Sequence, residues 1–413
     1  MNRRRIRDAV RWVPTVIVLL IVVHMTAAVA ADPDAAAAVV DESRPSDQTI
    51  LWDPDIRLPA DEDMPSVPDV QFHVIKAWEP DRDGYHWLHG IALAWHDGRL
   101  YASFGHNTGH ENTLTEEGRY CVSDDGGQTW SKIRTIDTGT EAADLAISHG
   151  VFHSHDESLW ALLGAFHGTR QRVHMRAYRL DADTGHWQSQ GVVAKEGFWP
   201  MDKPVAMQNG RLIIPGLIVG GVNTAGVAIG SPHDLTSWRV VKLDASGVEG
   251  GLWGESALLV DGATVRLIVR YGHRATALTA VSSDFGESWT PLMESNLPMT
   301  TSKPAAGRLS TGQNYLICTT TADAGKRRHP LTIALSRPGE DRFSSVFVIR
   351  PAVFPDGPGE SHRSAALSYP YAVEHEGRLY IGYSNSGGRR ANQNSAELAV
   401  VPVATLAQLA QKR

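Results

Sequence analysis

Ser123-x-Asp125-x-Gly127-x-x-Trp130 and Ser282-x-Asp284-x-Gly286-x-x-Trp289 are two copies of one pattern, and they restrict the fold of this chain more than anything else in it. Each reads as a tight hairpin turn. The Asp side chain caps backbone N–H groups, the Gly takes a positive φ, and the Trp packs back over the turn. Degenerate copies keep the Ser-to-aromatic spacing at Ser231 to Trp238 and at Ser336 to Phe343, and Asp183, Gly185 and Trp187 keep a looser trace. Aromatic residues 130, 187, 238, 289 and 343 therefore recur at a period of about 50 residues, the length of a unit of four short strands.

A second repeat runs in phase with the first. Asp97-Gly98-Arg99-Leu100-Tyr101 returns as Glu376-Gly377-Arg378-Leu379-Tyr380 and more weakly as Asn209-Gly210-Arg211-Leu212. Each is a hairpin signal between alternating apolar runs. Turns of this kind near Gly98, Glu157, Gly210, Gly262, Gly312 and Gly377 predict an all-β, six-bladed β-propeller over residues 70–405, with Val70 to Ala77 as a closing strand. A seventh blade would need strands from the segment before Val70. Residues 406–413 read as a C-terminal tail.

Before the repeats, five Arg precede the apolar run Trp12 to Val23, and Ala28-Val29-Ala30 supplies a small-x-small cleavage site. Residues 1–30 thus read as a secretory signal peptide, since the apolar run is shorter than the roughly 20 residues of a spanning helix. The expected compartment is secreted or periplasmic, without stable membrane insertion after cleavage. Residues 31–69, rich in Ala, Asp and Pro, read as a linker or peripheral wrap. Hydrophobic residues at 42% exclude a disordered chain, and a net charge of −7 excludes a generic nucleic-acid binder, which needs a basic surplus. Cys121 and Cys318 are too few for a disulfide framework and read as buried thiols.

Most of the chemical signal lies in the first blade, in Tyr85-His86-Trp87-Leu88-His89-Gly90 and His106-Asn107-Thr108-Gly109-His110. A two-residue Asp97-Gly98 turn pairs His96 with Arg99. An unbroken register then pairs Ile91 with Phe104 and His89 with His106, placing two imidazoles about 5 Å apart at Cβ near the channel mouth. Ser368 and Asn385 hold the equivalent places in the last blade, so the fold itself does not require His there. His86 and His110 flank the same end. Neighbouring neutral imidazoles can exchange protons or bind a metal ion, although no third ligand stands in zinc spacing. No cofactor is expected.

Other inner strands begin with charge: Lys203 before Pro204, Lys303 before Pro304, and Glu255 with Arg270 ending its partner strand. Tyr369 opens the last inner strand. If these starts converge, cations, a carboxylate, a phenol and imidazoles ring one mouth.

The turn chemistry resembles that of the sialidase-like propellers, the Asp-box or BNR-repeat proteins, over the whole chain after the linker. That resemblance implies a carbohydrate partner. True sialidases use three Arg on the substrate carboxylate, a Tyr–Glu nucleophile pair and an Asp acid. Glu255 and Arg270 resemble part of this set, but the strand expected to carry the first Arg reads Trp87-Leu88-His89-Gly90-Ile91. The chain thereby looks closer to the histidine-dependent polysaccharide lyases and rhamnosyl-glucuronate enzymes. The expectation is an exported enzyme cleaving an anionic, uronate-containing oligo- or polysaccharide by β-elimination. His89, His106 and Tyr369 would transfer protons, and His86, His110, Lys203, Glu255, Arg270 and Lys303 would hold the substrate. The alternatives are an exo-acting glycoside hydrolase, sialidase-like or rhamnosidase-like, and a noncatalytic glycan-binding propeller.

Overall fold

The computed structural model describes residues 49–411. The signal-peptide reading and residues 31–48 of the 31–69 segment fall outside them. Six antiparallel sheets follow one another along the chain, and they form the six-bladed propeller that the period predicts. Their inner strands are Trp87–His96, Leu145–His155, Phe198–Pro200, Leu252–Asp261, Ala305–Arg308 and Leu367–His375, in blades one to six. In the sixth blade the outermost strand is Gln71–Lys76, which pairs antiparallel with Ser395–Pro402 and joins the start of the ring to its end.

The Asp-box turns have the predicted chemistry. Ser123 Oγ accepts from Gly127 N at 2.8 Å, Asp125 Oδ1 accepts from Thr129 N at 2.9 Å, and Trp130 Nε1 donates to Gly127 O at 3.0 Å. The second copy repeats these contacts among Ser282, Gly286, Asp284, Ser288 and Trp289 within 0.1 Å. Gly127 and Gly286 take φ of 93° and 83°. Each also faces the preceding blade: a Cβ on Gly127 would lie 2.4 Å from Leu398, and one on Gly286 would lie 2.7 Å from Ile213. The turns thus tie neighbouring sheets together as well as reversing the chain. Cys121 and Cys318 are both free and buried.

The Asp97-Gly98 hairpin keeps its predicted register only from His96–Arg99 to Ala92–Ser103. Beyond that a β-bulge intervenes, so Leu88 pairs with His106 and His89 with Gly105. The expected pairing of His89 with His106 is therefore wrong, because one inserted residue sends every later side chain to the other face. The Ile91–Phe104 pair is lost for the same reason.

Residues 49–69 run along the outer strands of blades four and five, with Thr49 bridging Ser295, Trp52 bridging Phe343 and Ser66 bridging Val348. Leu51, Trp52, Leu58, Met64 and Val67 are buried there, each such side chain contributing about 1.5–3 kcal/mol. At the other end, Val403–Leu409 is a helix that buries Val403, Leu406 and Leu409, so the last part of the chain is packed rather than a bare tail. Among the described residues no helix is long and apolar enough to cross a membrane.

Candidate active site

Bulges also interrupt the inner strands of blades two, four and six. In blade two Ser148 and His149 lie between the pairs Ile147–Ala165 and Gly150–Leu163. In blade four the register shifts between Leu252 and Ser256, around Glu255, and in blade six between Ser368 and Tyr371, around Tyr369. A bulge re-aims a side chain out of the alternating pattern. Here His89, His149, Glu255 and Tyr369 all line one pocket of about 260 Å³.

At its centre the Tyr369 hydroxyl donates a short hydrogen bond to Glu255 Oε1. Arg270 Nη1 donates to the same carboxylate oxygen at 2.8 Å and to the Tyr369 hydroxyl at 3.2 Å. Glu255 and Arg270 are only 3% and 5% exposed. Removing one partner from so buried a pair costs about 3–5 kcal/mol. Glu255 Oε2 is buried without a hydrogen-bond partner, which leaves an acceptor free at the site. Burial and then the Glu255 carboxylate push the Tyr369 hydroxyl well above its ordinary pKa, so the resting phenol keeps its proton. Arg270 also stacks on Trp253 at 4.6 Å, and Arg328 donates to the Thr301 carbonyl at 3.1 Å.

The imidazoles beside this centre are neutral. His89 lies 3.8 Å from Tyr369, ring to ring. Its Nδ1 is 3.1 Å from Ser384 Oγ and 3.3 Å from Asn394 Nδ2, whose amide also donates to Leu88 O. Burial, then the neighbouring His149 ring and the Arg328 guanidinium, hold its pKa far below the usual value. His149 is 5.9 Å from Tyr369 and 5.1 Å from Trp199. Its pKa falls to about 3, chiefly through burial and then through Lys303 and Arg170. Gly90, with φ of 68°, makes room for it: a Cβ there would stand 2.2 Å from His149 Cγ.

A carboxyl group enters from the loop after Arg99–Asn107. Asn107 pins this loop by donating to the His110 carbonyl at 2.6 Å and accepting from Gly109 N at 2.7 Å, and Glu116 accepts from Asn112 N at 3.0 Å. Glu111 then lines the pocket and accepts from Asn392 Nδ2 of the sixth blade at 3.0 Å. Its side chain stays exposed at the pocket mouth, and partial loss of hydration against the pocket wall raises its pKa, against the pull of the Asn392 hydrogen bond. Arg170, Arg270 and Arg328 outnumber Glu111 and Glu255, so the pocket suits an anion.

Of the residues singled out in the sequence, His89, Glu255, Arg270 and Tyr369 come together, and the others stand elsewhere. His106 lies on the opposite face, stacked on Tyr85 at 3.7 Å. His86 and His110 are exposed and do not line the pocket. Lys203 turns to Tyr315 at 3.2 Å, and Lys303 lies buried behind the sixth-blade bulge. His149, Glu111, Arg170 and Arg328 were missed. Among the described residues no three His, Cys, Asp or Glu are grouped closely enough to hold a metal ion. A larger surface groove of about 640 Å³ contains none of these groups, and several of its charges pair, as in Arg266–Asp341 at 2.9 Å and Arg308–Asp261 at 3.3 Å.

A closed ring of six antiparallel sheets with Asp-box turns and one polar mouth defines a propeller of the sialidase-like type. The chain belongs to the BNR repeat-like domain family, which it matches over residues 122–381. Among solved structures it is similar to a Hadza microbial sialidase at 12% identity, with a TM-score of 0.63 over 81% of this chain and 68% of that one. A Dyadobacter fermentans protein of unknown function is similar at 14% identity and TM-score 0.60, over 81% of this chain and 99% of that one. The NanB sialidase of Streptococcus pneumoniae gives 10% identity and TM-score 0.59, over 81% and 71%. At these identities the likeness is one of fold. No curated protein matches the sequence significantly.

Proposed function

We propose that this protein is an exported enzyme that cleaves the glycosidic bond of a carboxylated sugar, with Tyr369 as nucleophile. The observation that carries this reading is the hydrogen-bonded trio of Tyr369, Glu255 and Arg270 at the floor of a cationic pocket. Tyr369 attacks the anomeric carbon and passes its proton to Glu255. Glu111, whose raised pKa favours its acid form, protonates the departing oxygen. Water, deprotonated by Glu111, then releases the sugar from the tyrosine. Arg270 and Arg328 pair with the substrate carboxylate, as two of the three arginines of a sialidase would. His89 stands on the strand where the third is expected, so the sugar is not restricted to sialic acid.

A β-elimination on a uronate is the second reading, and one observation favours it: the neutral His89 ring lies 3.8 Å from Tyr369. There His89 takes the C5 proton, Tyr369 protonates the leaving oxygen, and the arginines neutralise the carboxylate.

One experiment separates the readings. The protein without residues 1–30 is incubated with methylumbelliferyl glycosides of carboxylated sugars and with a panel of uronate polysaccharides. Released methylumbelliferone or new reducing ends without unsaturated-uronate absorbance support the hydrolase. A rise in that absorbance supports the lyase. Glycan binding without either signal leaves a noncatalytic propeller and defeats both.

A further inference from the structure

Lys303 is a buried cation that neither reading uses. Its side chain is 2% exposed, and among the described residues no carboxylate is within ion-pair distance of it. The nearby acids are committed elsewhere, Asp202 to Lys203 at 3.8 Å and Glu255 to Arg270 at 2.8 Å. Lys303 Nζ instead donates to the Pro370 carbonyl at 2.7 Å and lies 3.4 Å from that of Pro304. It also lies 5.9 Å from the Tyr371 ring.

Keeping an ammonium there is costly, because a buried charge with no carboxylate in contact loses its hydration, and the more distant Asp202 and Glu255 offset only part of that loss. Burial accordingly pushes its pKa down to about 8. A junction between blades five and six would be made more cheaply by an apolar side chain of the same length. What the lysine adds is a directed N–H donor on the carbonyl next to Tyr369. Tyr369 needs such a hold, since its φ of 53° lies in the left-handed region, where a bulky residue is held only by its surroundings.

We propose that Lys303 is a positioning residue for Tyr369: by gripping the Pro370 carbonyl from behind the pocket, it fixes the bulge that presents the phenol to Glu255. This rests on the proposed role of Tyr369, but its geometric part stands apart from any activity. Lys303 is thus retained for the aim of one side chain, at the expense of stability.

The test compares Lys303→Met, Lys303→Arg and Lys303→Gln in the chain without residues 1–30. Melting temperature, a crystal structure of each, and turnover of whichever methylumbelliferyl glycoside the unmodified protein cleaves are measured. The expected result for Lys303→Met is an unchanged or higher melting temperature, a Tyr369 hydroxyl displaced from Glu255, and kcat lowered about 100-fold with KM little altered. Lys303→Arg and Lys303→Gln, which keep an N–H donor, should hold Tyr369 on Glu255 and restore most of the turnover. A folded Lys303→Met with Tyr369 still on Glu255 overturns the inference. So does a variant that loses stability and turnover in proportion, because the lysine is then only a stitch between blades. If the unmodified protein cleaves none of the glycosides, the catalytic reading fails by itself, and the crystallographic comparison alone decides the role of Lys303.

Discussion

Tyr369 and Glu255 come from the sixth and fourth blades, yet the phenol of one donates directly to the carboxylate of the other. Arg270 bonds both, so the proton of Tyr369 has a single destination. Tyr369→Phe removes that proton and keeps the ring. Turnover should fall by about 100-fold or more, the scale of losing a general acid or base, while KM changes little. A variant that keeps more than a tenth of the rate would remove Tyr369 from the chemistry.

His89 and His106 should now behave differently. His89→Ser strips the ring that lies on Tyr369 and should lower turnover at least about tenfold. His106→Asn acts on the other face of the sheet, where the equivalent residue is Asn385, and should leave the rate nearly unchanged. Steady-state kinetics and melting curves of both variants check this. Loss of turnover in a stable His106→Asn protein would contradict the observed register.

In the proposed mechanism Glu111 sets a pH limit. Partial loss of hydration at the pocket mouth raises its pKa, so its acid form persists above the ordinary glutamate range, and the rate should fall as the pH rises through the shifted value. Asn392 donates to the carboxylate and lowers that pKa. Asn392→Ala should therefore move the alkaline limb of the kcat profile to higher pH. A limb that stays put, or moves to lower pH, rules Glu111 out as the proton donor.

The Asp boxes should matter for stability alone. Asp284 is held at a pKa of about 2 by hydrogen bonds from Ser288, first its hydroxyl and then its backbone N–H. A depressed folded-state pKa stabilises the protein above the unfolded value of about 3.9, and that contribution is lost as the pH falls through about 2. Asp284→Ala should lower the melting temperature near neutral pH, with the gap to the unmodified protein closing in acid. Turnover should be unaffected. An equal gap at pH 2 and pH 7 would show that the hydrogen bonds to the carboxylate are not what the turn relies on.

The turns were readable in the sequence because their chemistry is local: Ser123, Asp125, Gly127 and Trp130 bond one another within a single hairpin. The blade count and the closing strand followed from the spacing of those turns. The site was only half readable, because its side chains are aimed by bulges, and a bulge depends on what presses on the strand from the next blade. Gly90 did carry a signal, since a glycine inside a strand often marks a bulge, and reading it would have separated His89 from His106. Glu111, Arg170 and Arg328 sit on connections between strands, where no periodicity reports direction. His149 is legible only once Gly90 is known to face it.

The strand Gln71–Lys76 gives this pocket a clasp as well as a shape. His89 belongs to the first blade that the chain lays down, and its contact Ser384 lies 295 residues later, in the last. Their contact joins the two ends of the ring, which the pairing of Gln71–Lys76 with Ser395–Pro402 also fastens. Without that pairing the ring is an open bracelet, with His89 and Tyr369 on its two end blades. The first five blades alone therefore hold neither Tyr369 nor the Ser384 contact of His89. A cut between Lys76 and Trp87 would test that clasp, since the freed segment would hold to the ring by its edge pairing with Ser395–Pro402 and by the bridges of residues 49–69 to blades four and five.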